Sequence, residues 1–214
     1  MPRTPWMVGV SGASGTPYAR AVLNALLDAG QPVDLVISRA ARLTLLDETG
    51  LSFRDAYWRE DLAAWLHRAE VGDVAYWAAG DLAAGPSSGS YPTLGMIVVP
   101  ASTAAVAGIA LGLSKDLLQR AADVTLKERR PLVVVPRETP YTRQTLVHLL
   151  ALDEAGAHVV PASPGFYGGA ESVQQLVDFV AGKVLDVTGV GHDLLTRWTG
   201  ALGAGRENQR GARS

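Results

Sequence analysis

The chain has 214 residues, of which 48% are hydrophobic and 19% charged, and its formal net charge at pH 7 is −2. A chain of this length and composition can bury a substantial core in one domain, so a disordered protein is excluded except near the carboxyl terminus. A charge this close to neutral offers no general attraction for nucleic acid or an anionic membrane, and the lack of cysteine excludes disulfides, thiolate catalysis and most structural zinc sites.

The amino-terminal segment MPRTPWMVGVSGASG contains no apolar stretch long enough for a signal sequence. Nowhere do about 18 apolar residues follow one another, which is the length that a transmembrane helix requires. We therefore expect a soluble, cytoplasmic protein that binds neither a membrane nor nucleic acid.

Short apolar runs of the kind that form buried parallel strands recur along the chain, at residues 6–10, 33–37, 95–99, 131–135 and 157–160. Patterns typical of helices lie between them, at residues 16–30, 114–129 and 143–156. This alternation predicts an α/β protein with a doubly wound, mostly parallel sheet.

The segment between the second and third apolar runs is less regular. We predict a helix at residues 61–70 and an edge strand at residues 73–78. Residues 80–93 form a loop rich in Gly, Ser and Pro that is long enough to cover a site. We predict that residues 1–198 form a single domain and that residues 199–214 are a flexible tail.

A turn of small residues, 12–15, follows the first strand directly. Thr16 is predicted to cap a helix whose first residue is Pro17. Such a turn presents backbone N–H groups to an anion and predicts a phosphate site. The alternative is that a tight turn between a strand and a helix needs glycine in any case. The glycine spacing differs from that of the nicotinamide dinucleotide fingerprint.

The second strand ends in the sequence ISRA, without the acidic residue that holds the ribose of NAD. Ser38 is predicted to donate a hydrogen bond to a flavin or its ribityl chain. Arg39 can instead accept the 2′-phosphate of NADP, so an NADP-dependent reductase is an alternative.

Two central helices carry polar groups with two interpretations each. Ser102 and Thr103 begin a helix where hydroxyl groups bind anions or carbonyl oxygens, although simple N-capping also explains them. Four charged residues share one face of the next helix, namely Asp116, Arg120, Asp123 and Lys127. Taken alone, that face indicates a solvated ladder of ion pairs, each worth about 0.2–0.5 kcal/mol.

The fourth apolar run is predicted to be a central strand, so Arg137 and Glu138 lie beyond its carboxyl end, where ligands bind in open α/β sheets. Arg137 can hold a phosphate or a flavin carbonyl, and Glu138 can move a proton. Tyr167 follows the last strand and adds a phenol. The alternative is that Arg137 and Glu138 lead into a helix capped by Thr139 or Thr142, and that Tyr167 only packs. Groups of this kind at four strand ends favour one shared pocket.

Six segments read GASGTPYA, ISRAA, SSGS, RAADVTLKERRPLVVVPRETP, PASPGFY and LVDFVAGKVLD. In these segments, which extend over nearly all of residues 8–198, the chain closely resembles the UbiX family of flavin prenyltransferases. The block at residues 120–140 is the most specific. The resemblance implies a three-layer Rossmann-like or flavodoxin-like flavoprotein that assembles into a homododecamer.

Members of this family join the dimethylallyl group of dimethylallyl phosphate to reduced FMN through bonds at N5 and C6. The product, prenylated FMN, serves a UbiD-type decarboxylase. The resemblance therefore implies an enzyme that needs FMN and an isoprenoid phosphate but no metal. The histidines, at positions 67, 148, 158 and 192, show no spacing typical of metal ligands.

By position, the resemblance implies a set of residues in contact with FMN: Gly12, Ala13, Ser14, Ser38, Ser102, Thr103, Ala104, Ala105, Arg120 and Arg137. The implied contacts of the prenyl donor are Tyr167, Lys183, Arg120, Lys127 and Trp198. The implied catalytic residues are Ser14, Glu48, Lys127, Glu138 and Tyr167. We interpret Arg120 and Lys127 as reaching a neighbouring subunit's site, Glu138 as protonating the departing phosphate, and Ser14 as assisting proton movement at the flavin.

The chain departs from the family pattern at two of these positions. Lys183 stands where the family usually has arginine, so a point charge replaces a planar fork. Ala105 lacks a hydroxyl that is often present. The donor can therefore be the monophosphate or the pyrophosphate. The alternative functions are an FMN-dependent cysteine decarboxylase of the same wider fold, the NADP-dependent reductase, and a non-catalytic flavin-binding protein.

Overall fold

The computed structural model of the chain describes residues 3–195 and 197. The strands are β1 (Trp6–Val10), β2 (Val33–Ile37), β3 (Val74–Ala78), β4 (Gly95–Ala101), β5 (Leu132–Pro136) and β6 (His158–Val159). The helices are α1 (Thr16–Asp28), α2 (Arg39–Thr49), α3 (Trp58–Leu66), α4 (Thr103–Ala110), α5 (Leu117–Lys127), α6 (Arg143–Glu154) and α7 (Val173–Thr188). The strands pair in parallel, in the order β3-β2-β1-β4-β5-β6.

The predicted α/β fold, with a parallel sheet between two layers of helices, is confirmed. Every residue of β1, β2 and β5 is buried, which explains why these strands do not alternate and are apolar apart from Asp34 of β2. Val8 and Met7 are neighbours in β1 but belong to two different hydrophobic clusters. Because successive strand residues point to opposite faces, one sheet supports a core on each side.

The predicted elements are confirmed with shifted ends, and β3 is indeed an edge strand. The third helix begins at Trp58, earlier than predicted. Helix α2 was not predicted, because only Ala41 and Leu45 of it are buried and its apolar face is too narrow to show a helical period. Helix α7 also lies outside the predicted helical patterns.

The strand order reverses direction at β1, which pairs with β2 on one side and with β4 on the other. The connections after β1 and β4 therefore leave the sheet in opposite directions and open a crevice between their carboxyl ends. The first turn, residues 11–15, and the start of α4 border this crevice. The fold thus places the predicted site residues of both connections at one rim.

Asp34 of β2 is fully buried and ties three parts of the chain together. It forms an ion pair with Arg3, which precedes β1. Its other carboxylate oxygen accepts from Trp77 Nε1 at 2.9 Å and from Tyr91 Oη at 2.7 Å. A buried carboxylate is tolerated only with such partners. The long loop before β4 is consequently fixed to the sheet through Tyr91.

Among the described residues, none of the helices combines the length and the apolar character that spanning a bilayer requires. The predicted end of the domain at residue 198 and the predicted tail, residues 199–214, lie outside the described part of the chain.

Candidate functional site

The first turn is closed by a carboxylate from α2. The amides of Gly15 and Thr16 each donate to Glu48 at 2.8 Å, and the Thr16 hydroxyl donates to it at 2.6 Å. A negative charge is unfavourable at the carboxyl end of a helix and favourable at the amino end. The Glu48 carboxylate is therefore unfavourable for α2, in whose last turn it lies, but it stabilises the start of α1. The prediction that Thr16 caps α1 is wrong, because Gly15 takes the N-cap position and Glu48 provides the acceptor.

Ser14 and Glu48, two of the predicted catalytic residues, are in contact. Burial by itself raises the pKa of Glu48, but hydrogen bonds from the Thr16 and Ser14 side chains and from two backbone amides outweigh it and hold the pKa below its ordinary value. Glu48 is therefore ionised at neutral pH. The Glu48 carboxylate therefore occupies the amides of Gly15 and Thr16 at the start of α1. A phosphate at this turn, as the sequence predicts, would need donors other than these two amides.

The start of α2 packs closely on the first turn. A Cβ atom at Gly12 would overlap the side chain of Ala40, so this glycine is required by the close packing of α2 on the turn. Ser38 caps α2 by accepting from the Ala41 amide at 3.1 Å. Its hydroxyl hydrogen is still available for donation. Arg39, on which the NADP alternative depends, is exposed at the first position of α2.

Ser11, which the sequence analysis did not single out, joins the first turn to the start of α4. Its hydroxyl donates to a backbone carbonyl of β4 at 2.8 Å and accepts from the Ser102 amide at 2.7 Å. Ser102 caps α4 by accepting from the Ala105 amide at 3.2 Å. Thr103 and the exposed Ala104 follow at once, so this predicted segment lies across the crevice from the first turn.

Arg137 follows β5 directly, and its amide donates to the carbonyl of Ala101 at 3.2 Å. Its side chain reaches the first turn, because a Cβ atom at Gly15 would lie 3.7 Å from Arg137 Cγ. Among the described residues, the buried Nε atom of Arg137 has no hydrogen-bond partner. A buried donor without an acceptor is costly, so this atom indicates an acceptor that a ligand supplies.

Glu138 is exposed beside Arg137, and its carboxylate accepts from the Thr139 amide at 2.9 Å. Burial and, to a lesser extent, the charge of Glu138 raise the pKa of Tyr141. Of the two predicted caps for the following helix, Thr142 is the correct one, since it accepts from an amide in the first turn of α6 at 3.1 Å. Glu138 is therefore positioned as a rim carboxylate that solvent or a ligand can reach.

Tyr167 and Lys183 lie on the same side of α7. The Tyr167 ring meets Phe179 edge to face, with ring centroids 5.6 Å apart. Lys183 is one helical turn beyond Phe179, and residues four apart on a helix are surface neighbours. The two predicted donor contacts are therefore placed along one side of α7, one helical turn apart.

Asp186, which the sequence analysis missed, holds Lys183 in place. Lys183 Nζ lies 3.2 Å from Asp186, and Arg197 and His192 bind the same carboxylate at 2.8 and 3.2 Å. Burial by itself raises the pKa of Asp186, but hydrogen bonds from the Arg197, Lys183 and His192 side chains lower it to about 2. The sequence signal was a carboxylate three residues after the lysine on the same helix.

Lys127 and Arg137 of one chain lie at opposite edges of the sheet. Lys127 ends α5, and β5 begins five residues later, so Lys127 lies at the amino edge of the strands. Arg137 lies at the carboxyl edge, and a strand of this length spans about 16 Å. A single chain therefore does not bring its own Lys127 to the pocket that the strand ends form. The interpretation that Lys127 serves a neighbouring subunit stays a prediction.

Arg120 lies in the first turn of α5 and binds the loop before β4. Its Nε donates to the carbonyl of Ser87 at 3.1 Å, and its guanidinium pairs with Asp123 at 2.7 Å. Asp116 caps α5 by accepting from Gln119 at 2.9 Å. The predicted ladder on α5 is thus reduced to the single pair of Arg120 with Asp123.

Trp198, the predicted closing residue of the pocket, lies outside the described residues. No group of three or more His, Asp or Glu side chains in the described part of the chain is arranged to hold a metal ion.

Comparisons with known proteins point to one family. The family profile described as Flavoprotein matches residues 1–185. A relative from Streptomyces coelicolor, named flavin prenyltransferase UbiX, is 70% identical over 212 residues, which is 94% of this chain and 98% of the relative. A second protein of that name, from Pseudomonas aeruginosa, is 38% identical and is covered to 92% of its length by 89% of this chain.

Solved structures agree with the sequence relatives. The crystal structure of AnUbiX (PadA1) in complex with FMN and dimethylallyl pyrophosphate has a TM-score of 0.82 at 35% identity, over 93% of this chain and 99% of that one. A dodecameric FMN-dependent UbiX-like decarboxylase from Escherichia coli O157:H7 has a TM-score of 0.81 at 40% identity, over 92% of this chain and 100% of that one. The cysteine decarboxylase SpaF, at 16% identity and a TM-score of 0.53, shares the fold alone.

Proposed function

Because the chain belongs to the UbiX family of flavin prenyltransferases, we propose that it joins the dimethylallyl group of dimethylallyl phosphate to N5 and C6 of reduced FMN and forms prenylated FMN. The observation that carries this proposal is the buried Nε atom of Arg137, which lacks a partner among the described residues at the rim where β1, β4 and β5 end. No comparable observation favours the cysteine decarboxylase or the reductase.

We place FMN in the crevice between the first turn and the start of α4. The residues that would surround it are small or carry hydroxyl groups: Gly12, Ala13, Ser14, Ser38, Ser102, Thr103, Ala104 and Ala105. Small side chains leave room for a planar ring, and the hydroxyl groups can donate to a phosphate or to ring carbonyls. Arg137 would supply the cationic donor, which satisfies its Nε atom. When bound and reduced, the flavin supplies the nucleophilic N5 atom.

We propose that the prenyl phosphate binds between Tyr167 and Lys183 of one subunit and Arg120 and Lys127 of another. The separation of Lys127 from Arg137 by the length of β5 supports this division. A site that two copies complete would give Lys127, at the amino edge of its own sheet, a phosphate to bind. The active unit would then be a homo-oligomer.

Breaking the allylic C–O bond leaves a cation-like five-carbon fragment and a departing phosphate. Lysine and arginine side chains stabilise the phosphate, and an aromatic, water-poor pocket with Tyr167 and Trp198 protects the fragment from hydrolysis. We propose that Glu138 protonates the departing phosphate. Ser14, bonded to the ionised Glu48, would help to remove the proton that the acceptor loses.

The exposed face of α6 supports an oligomer. Leu146, Val147 and Leu150 are 53%, 45% and 58% exposed within one chain. A group of large apolar side chains on one helix is typical of a protein interface. A dodecamer is the assembly we propose, as named for the UbiX-like structure from Escherichia coli. We further propose one domain over residues 1–198 and a UbiD-type decarboxylase as the recipient of the product.

The proposed function is tested by supplying the purified protein with reduced FMN and dimethylallyl phosphate without oxygen and weighing the flavin by mass spectrometry. We expect a flavin heavier by one five-carbon unit. A parallel reaction with dimethylallyl pyrophosphate identifies the preferred donor. A flavin of unchanged mass with both donors would contradict the proposal. A colourless protein with bound nicotinamide would indicate the reductase.

A further inference from the structure

The loop at residues 87–91 is held rigidly at the amino edge of the sheet. Arg130 donates through Nη2 to the carbonyl of Gly89 at 2.8 Å and through Nη1 to that of Tyr91 at 2.9 Å. Arg120 donates to the carbonyl of Ser87 at 3.1 Å. These bonds satisfy the carbonyl groups of the loop and fix Gly89 next to the end of α5.

The ion pair of Lys127 and Glu128 lies against the backbone of Gly89. Lys127 Nζ lies 2.5 Å from Glu128 Oε1. A Cβ atom at Gly89 would overlap Glu128 Oε1 and would lie 2.6 Å from Lys127 Nζ. Ser88 and Ser90 flank the glycine, with their hydroxyl oxygens 2.8 Å apart. One carboxylate oxygen of Glu128 therefore lies between the Lys127 ammonium group and the backbone of Gly89, where no side chain intervenes.

An anion that binds Lys127 therefore meets Glu128 at the same ammonium group. Within one chain the side chains of Lys127 and Glu128 are 47% and 35% exposed, so their own chain leaves the pair open to a phosphate at a neighbouring subunit's site. Lys127 binds Glu128 strongly enough to lower the pKa of that carboxyl. An incoming phosphate must therefore displace Glu128 or share Lys127 with it.

We propose that Glu128 is an internal competitor for Lys127, which sets the affinity for the prenyl donor and favours the monophosphate over the pyrophosphate. This inference rests on the proposed function, in which Lys127 contacts the donor. The pyrophosphate carries more negative charge near neutral pH, and repulsion by a nearby carboxylate grows with that charge. Removal of the carboxylate should therefore help both donors, and the pyrophosphate more.

The test is Glu128→Gln in the assembled, FMN-loaded enzyme, with steady-state kinetics for each donor. We expect KM for dimethylallyl phosphate to fall about threefold and KM for the pyrophosphate about fivefold, which is the range of an exposed ion pair. The value of kcat should stay within about twofold, because the carboxylate competes in the ground state. Glu128→Ala serves as a second variant if the glutamine protein is poorly folded.

Glu70→Gln is the matched control, since it removes an exposed carboxylate near the start of β3, on the same edge of the sheet. It should change neither KM. The gain from Glu128→Gln should vanish in a Lys127→Gln background, because the two side chains act through each other. An unchanged or raised KM in Glu128→Gln, or a gain that persists without Lys127, would overturn the inference.

Calorimetry separates this inference from the proposed function. Inorganic pyrophosphate should bind the Glu128→Gln protein about fivefold more tightly than the wild type, again the range of an exposed pair. This result is expected whether or not the flavin is prenylated. Unchanged flavin mass together with tighter pyrophosphate binding would reject the reaction and retain the competitor, whereas equal pyrophosphate affinities would reject the competitor.

Discussion

Two glutamates at the same rim have different surroundings and therefore different tasks. Glu48 accepts hydrogen bonds from Thr16 and from two backbone amides, which hold its pKa below the ordinary value against the opposing effect of burial. Glu138 is exposed and accepts from one neighbouring amide. Glu48 is thus held in its ionised form beside Ser14, while Glu138 is open to a ligand at the rim.

Glu138→Gln should slow prenyl transfer about a hundredfold, the lower range for loss of a general acid, because an amide does not protonate the departing phosphate. FMN should bind as in the wild type. Single-turnover mass spectrometry and flavin fluorescence measure the two effects. Glu154→Gln, at the exposed end of α6, should leave both unchanged, and wild-type turnover by Glu138→Gln would refute the assignment.

Glu48→Gln should lower the free energy of unfolding at pH 7 by about 1 kcal/mol, as expected for a lost helix cap and dipole contact. Because the folded-state pKa lies below the ordinary value of 4.5, the carboxylate stabilises the fold above that pH. The stabilisation is lost as pH falls through the folded-state pKa. The difference between wild type and variant, measured by urea unfolding, should therefore shrink between pH 5 and pH 3. A constant difference would contradict this account.

At the scale of elements, the long loop before β4 is anchored to the sheet by hydrogen bonds of polar side chains. Tyr91 bonds the buried Asp34 at 2.7 Å, and Arg130 holds the same loop through two carbonyls. Burial and the hydrogen bond to Asp34 raise the pKa of Tyr91 to about 12, so its phenol stays a donor at neutral pH. The loop thereby keeps a defined shape next to Lys127.

Tyr91→Phe should lower the free energy of unfolding by about 1.5–3 kcal/mol, the range for a hydrogen bond to a charged group. It should also speed amide exchange in residues 85–93. Urea unfolding and hydrogen exchange report these changes. Tyr57→Phe removes a phenol from an exposed side chain near α3 and should cost less than about 0.5 kcal/mol. Equal costs for the two variants would show that the Asp34 contact does not anchor the loop.

At the scale of the whole molecule, the rim groups and Lys127 lie at opposite edges of one sheet. The exposed leucines of α6 offer a surface through which copies can associate. Assembly would bring the α5 end of one copy to the rim of another. Activity should then depend on association.

The double variant Leu146→Glu and Leu150→Glu should dissociate the assembly, because two buried charges without partners are costly in an interface. Sedimentation should show smaller species, and prenyl transfer should fall at least about a hundredfold, the loss expected when binding and catalytic cations are removed from the site. Ala29→Glu adds a charge at the exposed end of α1 and should leave both assembly and activity intact. Full activity in a dissociated protein would show that one chain suffices.

Much of the fold and half of the candidate site could be predicted from local pattern. The apolar runs predicted the strands, because strands that are buried on both faces are mostly apolar. Arg137 and Glu138 were placed correctly, because a residue that follows a central strand can only emerge at the carboxyl edge. The sequence offered Thr139 and Thr142 as caps of α6, and in the structure Thr142 is the cap.

The linear sequence by itself determined the layered α/β architecture, which follows from the hydrophobic periodicity. It also determined the rim to which Ser14, Ser102, Arg137 and Glu138 belong, because residues that follow parallel strands lie at one edge of the sheet. Only the tertiary structure decided that Glu48 closes the first turn, that Asp186 holds Lys183, and that Lys127 lies at the far edge with Glu128 over Gly89. These relations depend on how packed helices direct long side chains in space. The charge pattern of one helix does not predict which neighbouring helix or loop its side chains contact.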